Sequence, residues 1–146
     1  MIRDTVPGYS EKLLHFPVTK IVQMQCSNAV NWNLFQFHFE RHGAFTELNS
    51  GNWWRNAEEK MKELCSAGLC LCSISNQVEE TLLFPQIVYA DAAIVYTSCN
   101  KAVHPVYLIP AALPLHERLK QQNRYLWAYL PKEVPLWECL EILGMV

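Results

Sequence analysis

Three of the six cysteines stand close together in the stretch LCSAGLCLC, and thiols can bind zinc or exchange disulfides. Zinc and redox sites use Cys-x-x-Cys pairs, and the spacing of Cys65, Cys70 and Cys72 provides none. Cys65 falls in the last turn of a predicted helix that Gly68 ends, and residues 69–75 read as a strand with two apolar faces. Because free cysteine is among the most buried residue types, we interpret these three as core residues and expect no metal and no other cofactor.

A second set of chemically competent side chains lies in WNLFQFHFERHG, residues 32–43. Its alternation predicts a half-buried strand whose inner face carries Phe35, Phe37 and Phe39. The outer face then carries Gln36, His38, Glu40 and His42. Imidazoles and carboxylates bind metals, but side chains on one face of a strand run parallel and do not converge on an ion. We therefore predict that these four residues line a polar face or a ligand pocket, with His38 also a candidate acid or base.

Asp91 is an isolated charge in the most apolar part of the chain, IVYADAAIVY. Inside a strand, burial would raise the pKa of this carboxyl and suit it to act as a general base. In a turn, it would be an ordinary turn residue, and we favour the turn because Asp forms turns readily and strands tolerate it poorly. Without an Asn-Gly or Asp-Gly signal, residues 82–98 fit either one bent strand or a hairpin.

Cys99 and His104 form a further candidate pair, because a nucleophilic thiol needs a nearby imidazole. Lys101 between them could lower the pKa of the thiol. Six cysteines and five histidines make chance proximity common, and no family signature surrounds Cys99. We therefore give this pair little weight.

Two aromatic segments are candidate binding surfaces. Trp53 and Trp54 are adjacent at the start of a predicted helix, so only one of them can face the core squarely. The other is then free to contact a partner, or else both pack against the phenylalanine row. We favour the second arrangement slightly. The segment 114–132 is predicted as a helix that mixes basic and aromatic residues, a pattern that can bind nucleic acid but more often marks a surface helix.

The predicted elements give the order ββαβ(β)ββαα. Strands are expected at 18–27, 32–43, 69–75, 82–98 and 102–110, with Pro105 marking an edge strand. Helices are expected at about 49–67, 114–132 and 134–144. We therefore predict an α+β fold in a single domain spanning residues 1–146, with one mainly antiparallel sheet of about five strands packed with three helices, two of them C-terminal.

Composition limits the function classes. The 146 residues are 51% hydrophobic and 18% charged, which provides a core and excludes bulk disorder. A net charge of −2 without a basic run disfavours nucleic-acid binding. Neither an export signal nor a membrane span is recognised, so we expect a cytoplasmic protein without membrane contact. No phosphate-binding glycine loop and no common hydrolase motif occurs.

These observations favour a small binding or accessory module, not an enzyme. It would hold a protein partner or a small apolar ligand through an aromatic-rich surface or pocket. The alternatives are a small enzyme that uses Asp91 or His38 as acid or base, and a nucleic-acid-linked regulator that uses the 114–132 helix. A homodimer through the edge near Pro105 or through Trp53 is compatible with each.

Overall fold

The structure, a computed structural model, describes residues 1–10, 12–40, 47–68, 82–90, 93–96, 101–131 and 133–142. Its strands are β1 (Ile2–Thr5), β2 (Lys12–His15), β3 (Gln86–Ala90), β4 (Ala93–Tyr96), β5 (Lys101–Pro110) and β6 (Tyr125–Pro131). Its α-helices are α1 (Val18–Cys26), α2 (Ala29–Trp32), α3 (Asn52–Ser66), α4 (Leu115–Arg118) and α5 (Leu136–Ile142). Short 3-10 turns occupy Leu48–Ser50 and Gln121–Asn123.

All the strands join one antiparallel sheet in the order β1-β2-β6-β5-β3, with β4 also paired to β5. This confirms the predicted α+β class and the single antiparallel sheet. The helix count differs, because the described residues form five α-helices and not three. Only α5 follows the last strand, since α4 comes before β6.

The strands β3 and β4 pair with β5 in the same register, as successive parts of one strand. β3 pairs with β5 from Gln86↔Pro110 to Ala90↔Val106, and β4 continues in the same register at Ala93↔Val103. The chain therefore runs in one direction through both, which supports the bent strand over the hairpin. Counted together, β3 and β4 give the sheet five strand positions.

The prediction that Pro105 marks an edge strand is wrong. Pro105 lies in β5, which has β6 on one side and β3 and β4 on the other. Pro105 pairs with Tyr129 of β6, and the next residue, Val106, pairs with Ala90 of β3. Pro105 therefore leaves no free edge for a second copy of the chain.

The main core covers one face of the sheet, where α1 and α5 pack. Paired residues of adjacent strands point to the same side, so Leu13, Val106, Leu108 and Ala128 meet there. Trp127 is an extra residue in β6, because Val106 pairs with Ala128 while Tyr107 pairs with Leu126. This β-bulge buries the Trp127 ring completely, and the indole N–H donates to the carbonyl oxygen of Phe16 at 3.1 Å.

The first predicted strand, residues 18–27, is the helix α1. Val18, Ile21 and Gln25 stand at i, i+3 and i+7 and face the core, so the helical period decides the structure. The alternation of Val22, Met24 and Cys26 predicted a strand because a short apolar pattern fits both periods. Pro17 immediately before the segment is a helix-start signal.

The second predicted strand, residues 32–43, is also wrong, because residues 32–40 do not form a strand. Residues 41–43 lie outside the described ranges. The Asn28 side chain accepts a hydrogen bond from the Asn31 N–H and caps α2, and irregular backbone follows. Gln36 N–H donates to the Ala112 carbonyl at 2.7 Å, so a loop contact replaces a strand ladder. The phenylalanines still face inward, where they pack with Trp54, Ala111 and Ala112 in what we call the Trp54 cluster.

The predicted helix at 114–132 divides into α4, a 3-10 turn and the strand β6. Leu115 and Leu119, expected in its apolar stripe, are exposed. The alternating residues of Tyr125–Pro131 are drawn into the sheet between β2 and β5, where tertiary packing outweighs local helix propensity. The helices predicted at 49–67 and 134–144 are confirmed as α3 and α5. Residues 69–75 lie outside the described ranges.

None of the helices in the ranges given above combines the length and the apolar character needed to cross a bilayer.

Candidate ligand-binding cleft

Of the four polar residues predicted on one face of residues 32–43, Gln36, His38 and Glu40 lie in the described part of the chain. The His38 side chain is 62% exposed, and its Nδ1 lies 3.8 Å from Glu58 Oε1. Glu40 is exposed and Gln36 is half-buried. His42 lies outside the described residues, as does Asp91.

The cysteines that the structure describes are separate from one another in the fold. Cys26 is exposed, Cys65 is half-buried and Cys139 is buried in the main core. Desolvation raises the pKa of Cys26, and desolvation together with the Glu138 charge raises the pKa of Cys139, so both thiols stay protonated at neutral pH. Cys70, Cys72 and Cys99 lie outside the described residues. Within the described ranges, no three His, Cys, Asp or Glu side chains group as a metal site requires.

Trp53 and Trp54 have different environments. This differs from the prediction that both pack against the phenylalanine row. Trp54 is fully buried, and its indole N–H donates to the Phe37 carbonyl at 3.4 Å. Trp53 packs against Trp54 with ring centroids 5.2 Å apart but remains 45% exposed.

A cleft forms where α1 crosses β6. β2 pairs with β6 at Leu14↔Tyr129 and His15↔Ala128, and Phe16 N–H adds a bond to the Trp127 carbonyl. Pro17 then starts α1, so no described strand pairs with residues 124–126 on this side. The edge of β6 and the helix form the two walls of the cleft.

Two contacts fix α1 in this position. Ile21 is buried in the main core, and the fully buried Gln25 donates its side-chain amide to Gln86 Oε1 of β3 at 2.9 Å. Because both residues face the sheet, Lys20 and Met24 lie beside the cleft on the adjoining side of the helix. The wall formed by α1 is therefore anchored by core packing and a buried hydrogen bond.

The cleft has a volume of about 370 Å³, within the range of roughly 300–1,000 Å³ typical of ligand pockets. Most of its surface is apolar. The lining residues are Phe16, Lys20, Ile21, Met24, Arg124, Tyr125 and Leu126. Met24, half-exposed and unbranched, can adapt its shape to a bound molecule.

The charges around the cleft are of one sign. Among the described residues, Lys20 and Arg124 are its charged lining residues, and no acidic residue lines it. Arg124 is held by a hydrogen bond from Nη2 to the Leu119 carbonyl at 3.4 Å and by stacking 5.4 Å above the Tyr89 ring. The Lys20 ammonium makes no hydrogen bond or ion pair with any residue that the structure describes, so it is available to an anion.

Sequence reasoning missed this cleft because both of its walls were assigned the wrong secondary structure. Lys20 and Met24 at i and i+4 are the pattern that would have placed them on one helix face. Nothing in the sequence pairs that face with residues 124–126, which lie about a hundred positions later and meet it only through the sheet.

No protein-family model matches the sequence, and neither the curated proteins nor the solved structures include a significant match to the chain.

Proposed function

We propose that this chain is a small binding module that holds an apolar molecule with an anionic end in the cleft between α1 and β6. One observation carries the proposal: an apolar cleft of ligand-binding size has Lys20 and Arg124 as its charged lining residues in the described part of the chain. Ligand sites are typically apolar cavities with a few polar groups that set orientation. The cleft has this composition.

The two parts of the site contribute differently to binding. Burial of an alkyl chain gains about 0.8 kcal/mol per methylene, so the apolar walls supply most of the affinity. An ion pair at a solvated rim gains only about 0–1 kcal/mol. Lys20 therefore selects for an anion and orients it more than it increases affinity.

Isothermal titration calorimetry with octanoate, hexanoate and octanol tests the proposal. We expect octanoate to bind about tenfold more tightly than hexanoate, since two methylenes are lost. Octanol should bind the native protein more weakly than octanoate does. The two probes should bind the Lys20→Gln variant with equal affinity. Met24→Glu, which places a carboxylate at an already half-exposed position, should abolish octanoate binding.

Lys62→Gln is the matched control, because Lys62 is an exposed lysine on α3 and does not line the cleft. It should leave the affinity for octanoate unchanged. If octanoate does not bind, or if Lys62→Gln weakens it as much as Lys20→Gln does, the proposal fails.

A second candidate function, protein contact, rests on exposed aromatic side chains. Trp32, Trp53 and Trp137 are each exposed by 45% or more. Exposed tryptophans are enriched at the centres of protein interfaces. If Trp53 joins two copies of this chain, sedimentation should detect a dimer that Trp53→Ser dissociates. A monomer at all concentrations would remove the homodimer.

The other two functions considered have less support. His38, offered as an acid or base, is exposed beside Glu58 and does not line the cleft. The nucleic-acid proposal depended on a helix at 114–132, where the structure has β6. Two of its basic residues are also engaged within the protein: Arg118 is buried and bonded to Glu47, and Lys120 is bonded to Glu117.

A further inference from the structure

A second, shallower groove continues from the cleft along α1. Lys20, Met24 and Tyr125 line both, so the two spaces adjoin. The groove has a volume of about 620 Å³ and adds three polar residues to the shared ones: Gln23, Ser27 and Asn28. An apolar cavity therefore opens into a polar extension, with Lys20 at the junction.

The polar residues of the groove are arranged to hydrogen-bond a ligand. Lys20, Gln23 and Ser27 stand at i, i+3 and i+7 and form one stripe of α1. The Gln23 side chain makes no hydrogen bond with the described residues and offers both a donor and an acceptor. Ser27 donates its hydroxyl to the Gln23 carbonyl at 2.7 Å, which leaves the hydroxyl oxygen as an acceptor.

Asn28 completes the groove at its far end. Its side-chain oxygen accepts from the Asn31 N–H at 3.3 Å, so its amide nitrogen can donate to a ligand. None of the described residues that line the groove is acidic. The extension therefore combines donors, acceptors and one ammonium group, which suits an amide followed by a carboxylate better than a bare carboxylate.

We propose that the ligand is a monomeric N-acylated amino acid or a closely similar acyl amide with a terminal carboxylate. Its acyl chain lies in the apolar cleft, and its amide hydrogen-bonds Gln23 and Ser27 in the groove. Its carboxylate then lies at the Asn28 amide, at the far end of the groove. This inference rests on the proposed function, because it assumes that the apolar cleft holds the acyl chain.

Calorimetry with N-octanoylglycine and octanoate as the two probes tests the inference. We expect N-octanoylglycine to bind about tenfold more tightly, which corresponds to two additional hydrogen bonds. The double variant Gln23→Ala/Ser27→Ala should remove that advantage and leave octanoate binding unchanged. Gln122→Ala is the matched control, since Gln122 is exposed and lies outside both cavities.

Each other outcome decides a separate point. If octanoate binds but N-octanoylglycine binds no more tightly, the inference is overturned and the proposed function stands. The same follows if N-octanoylglycine still binds more tightly than octanoate to the Gln23→Ala/Ser27→Ala variant. If neither probe binds, the proposed function fails and the inference with it. Retention on phosphatidylglycerol vesicles without binding of either monomeric probe would also overturn it, by showing that the protein recognises a lipid surface.

Discussion

At the scale of single residues, Glu117 is a nearly buried carboxylate that the fold keeps charged. Lys120 Nζ donates to Glu117 Oε1 at 2.6 Å, and the Asn123 amide donates to the Glu117 carbonyl at 2.9 Å. The hydrogen bond from Lys120, opposed by desolvation and aided by charges nearby, holds the pKa of Glu117 below its ordinary value. The same Asn123 amide also donates to Glu117 Oε2 at 3.5 Å, and Asn123 Oδ1 accepts from the Asn31 amide, so the carboxylate belongs to a network that ties α2 to the turn before β6.

The substitution Glu117→Gln should lower the melting temperature at pH 7. A carboxyl whose pKa is lower in the folded protein than the unfolded value of about 4.3 stabilises the fold above that value. The contribution disappears as the pH falls through the folded pKa. The difference in melting temperature between native protein and variant should therefore shrink below about pH 4, as measured by circular dichroism.

Glu59→Gln, at an exposed position of α3, is the control for loss of a charge and should have little effect at either pH. If Glu117→Gln lowers the melting temperature as much at pH 3 as at pH 7, the negative charge of Glu117 is not the source of the stabilisation.

At the scale of elements, the β-bulge at Trp127 is where β6 contacts the main core, the end of β2 and the start of α1. The ring fills the main core, its N–H donates to the Phe16 carbonyl, and its own carbonyl accepts from Phe16 N–H at 2.9 Å. The residue therefore fixes the point at which β2 ends and α1 begins. The cleft opens at this same point, since Phe16 is one of its lining residues.

The substitution Trp127→Ala should lower the free energy of unfolding by about 3–5 kcal/mol, because it removes a large buried ring and leaves a cavity. Trp53→Ala is the comparison, since the ring lost there is already 45% exposed, and it should cost about 1 kcal/mol or less. Urea denaturation followed by circular dichroism measures both. Equal losses for the two variants would contradict the placement of Trp127 in the core.

The sequence predicted those elements in which independent signals agree. α3 was predicted because an apolar stripe runs through it and Gly68 follows with a positive φ of 71°, which glycine adopts without strain. α1 and β6 were assigned wrongly because each is short and its apolar pattern fits two periods. Only the neighbours in the fold select between these periods: the sheet face for α1, and the strands β2 and β5 for β6.

At the scale of the whole molecule, the fold has an apolar cluster in two places. The main core lies between the sheet and the helices α1 and α5, and the Trp54 cluster lies around Ala111 and Ala112. Both contain a fully buried tryptophan, Trp127 in the main core and Trp54 in the other cluster. The cleft lies at the margin of the main core, where Ile21 belongs to the core and Phe16 and Tyr125 pack against it. A ligand there would extend the core with apolar contacts of its own.

The most direct test of this account is a carbon–proton NMR spectrum of protein labelled at its methionine methyl groups, recorded during titration with octanoate. The chain has four methionines, and Met24 lines the cleft. The account predicts that the Met24 methyl resonance shifts and saturates with octanoate, while that of Met61 in α3 stays in place. A Met24 resonance that does not move at saturating octanoate would contradict the proposed binding site.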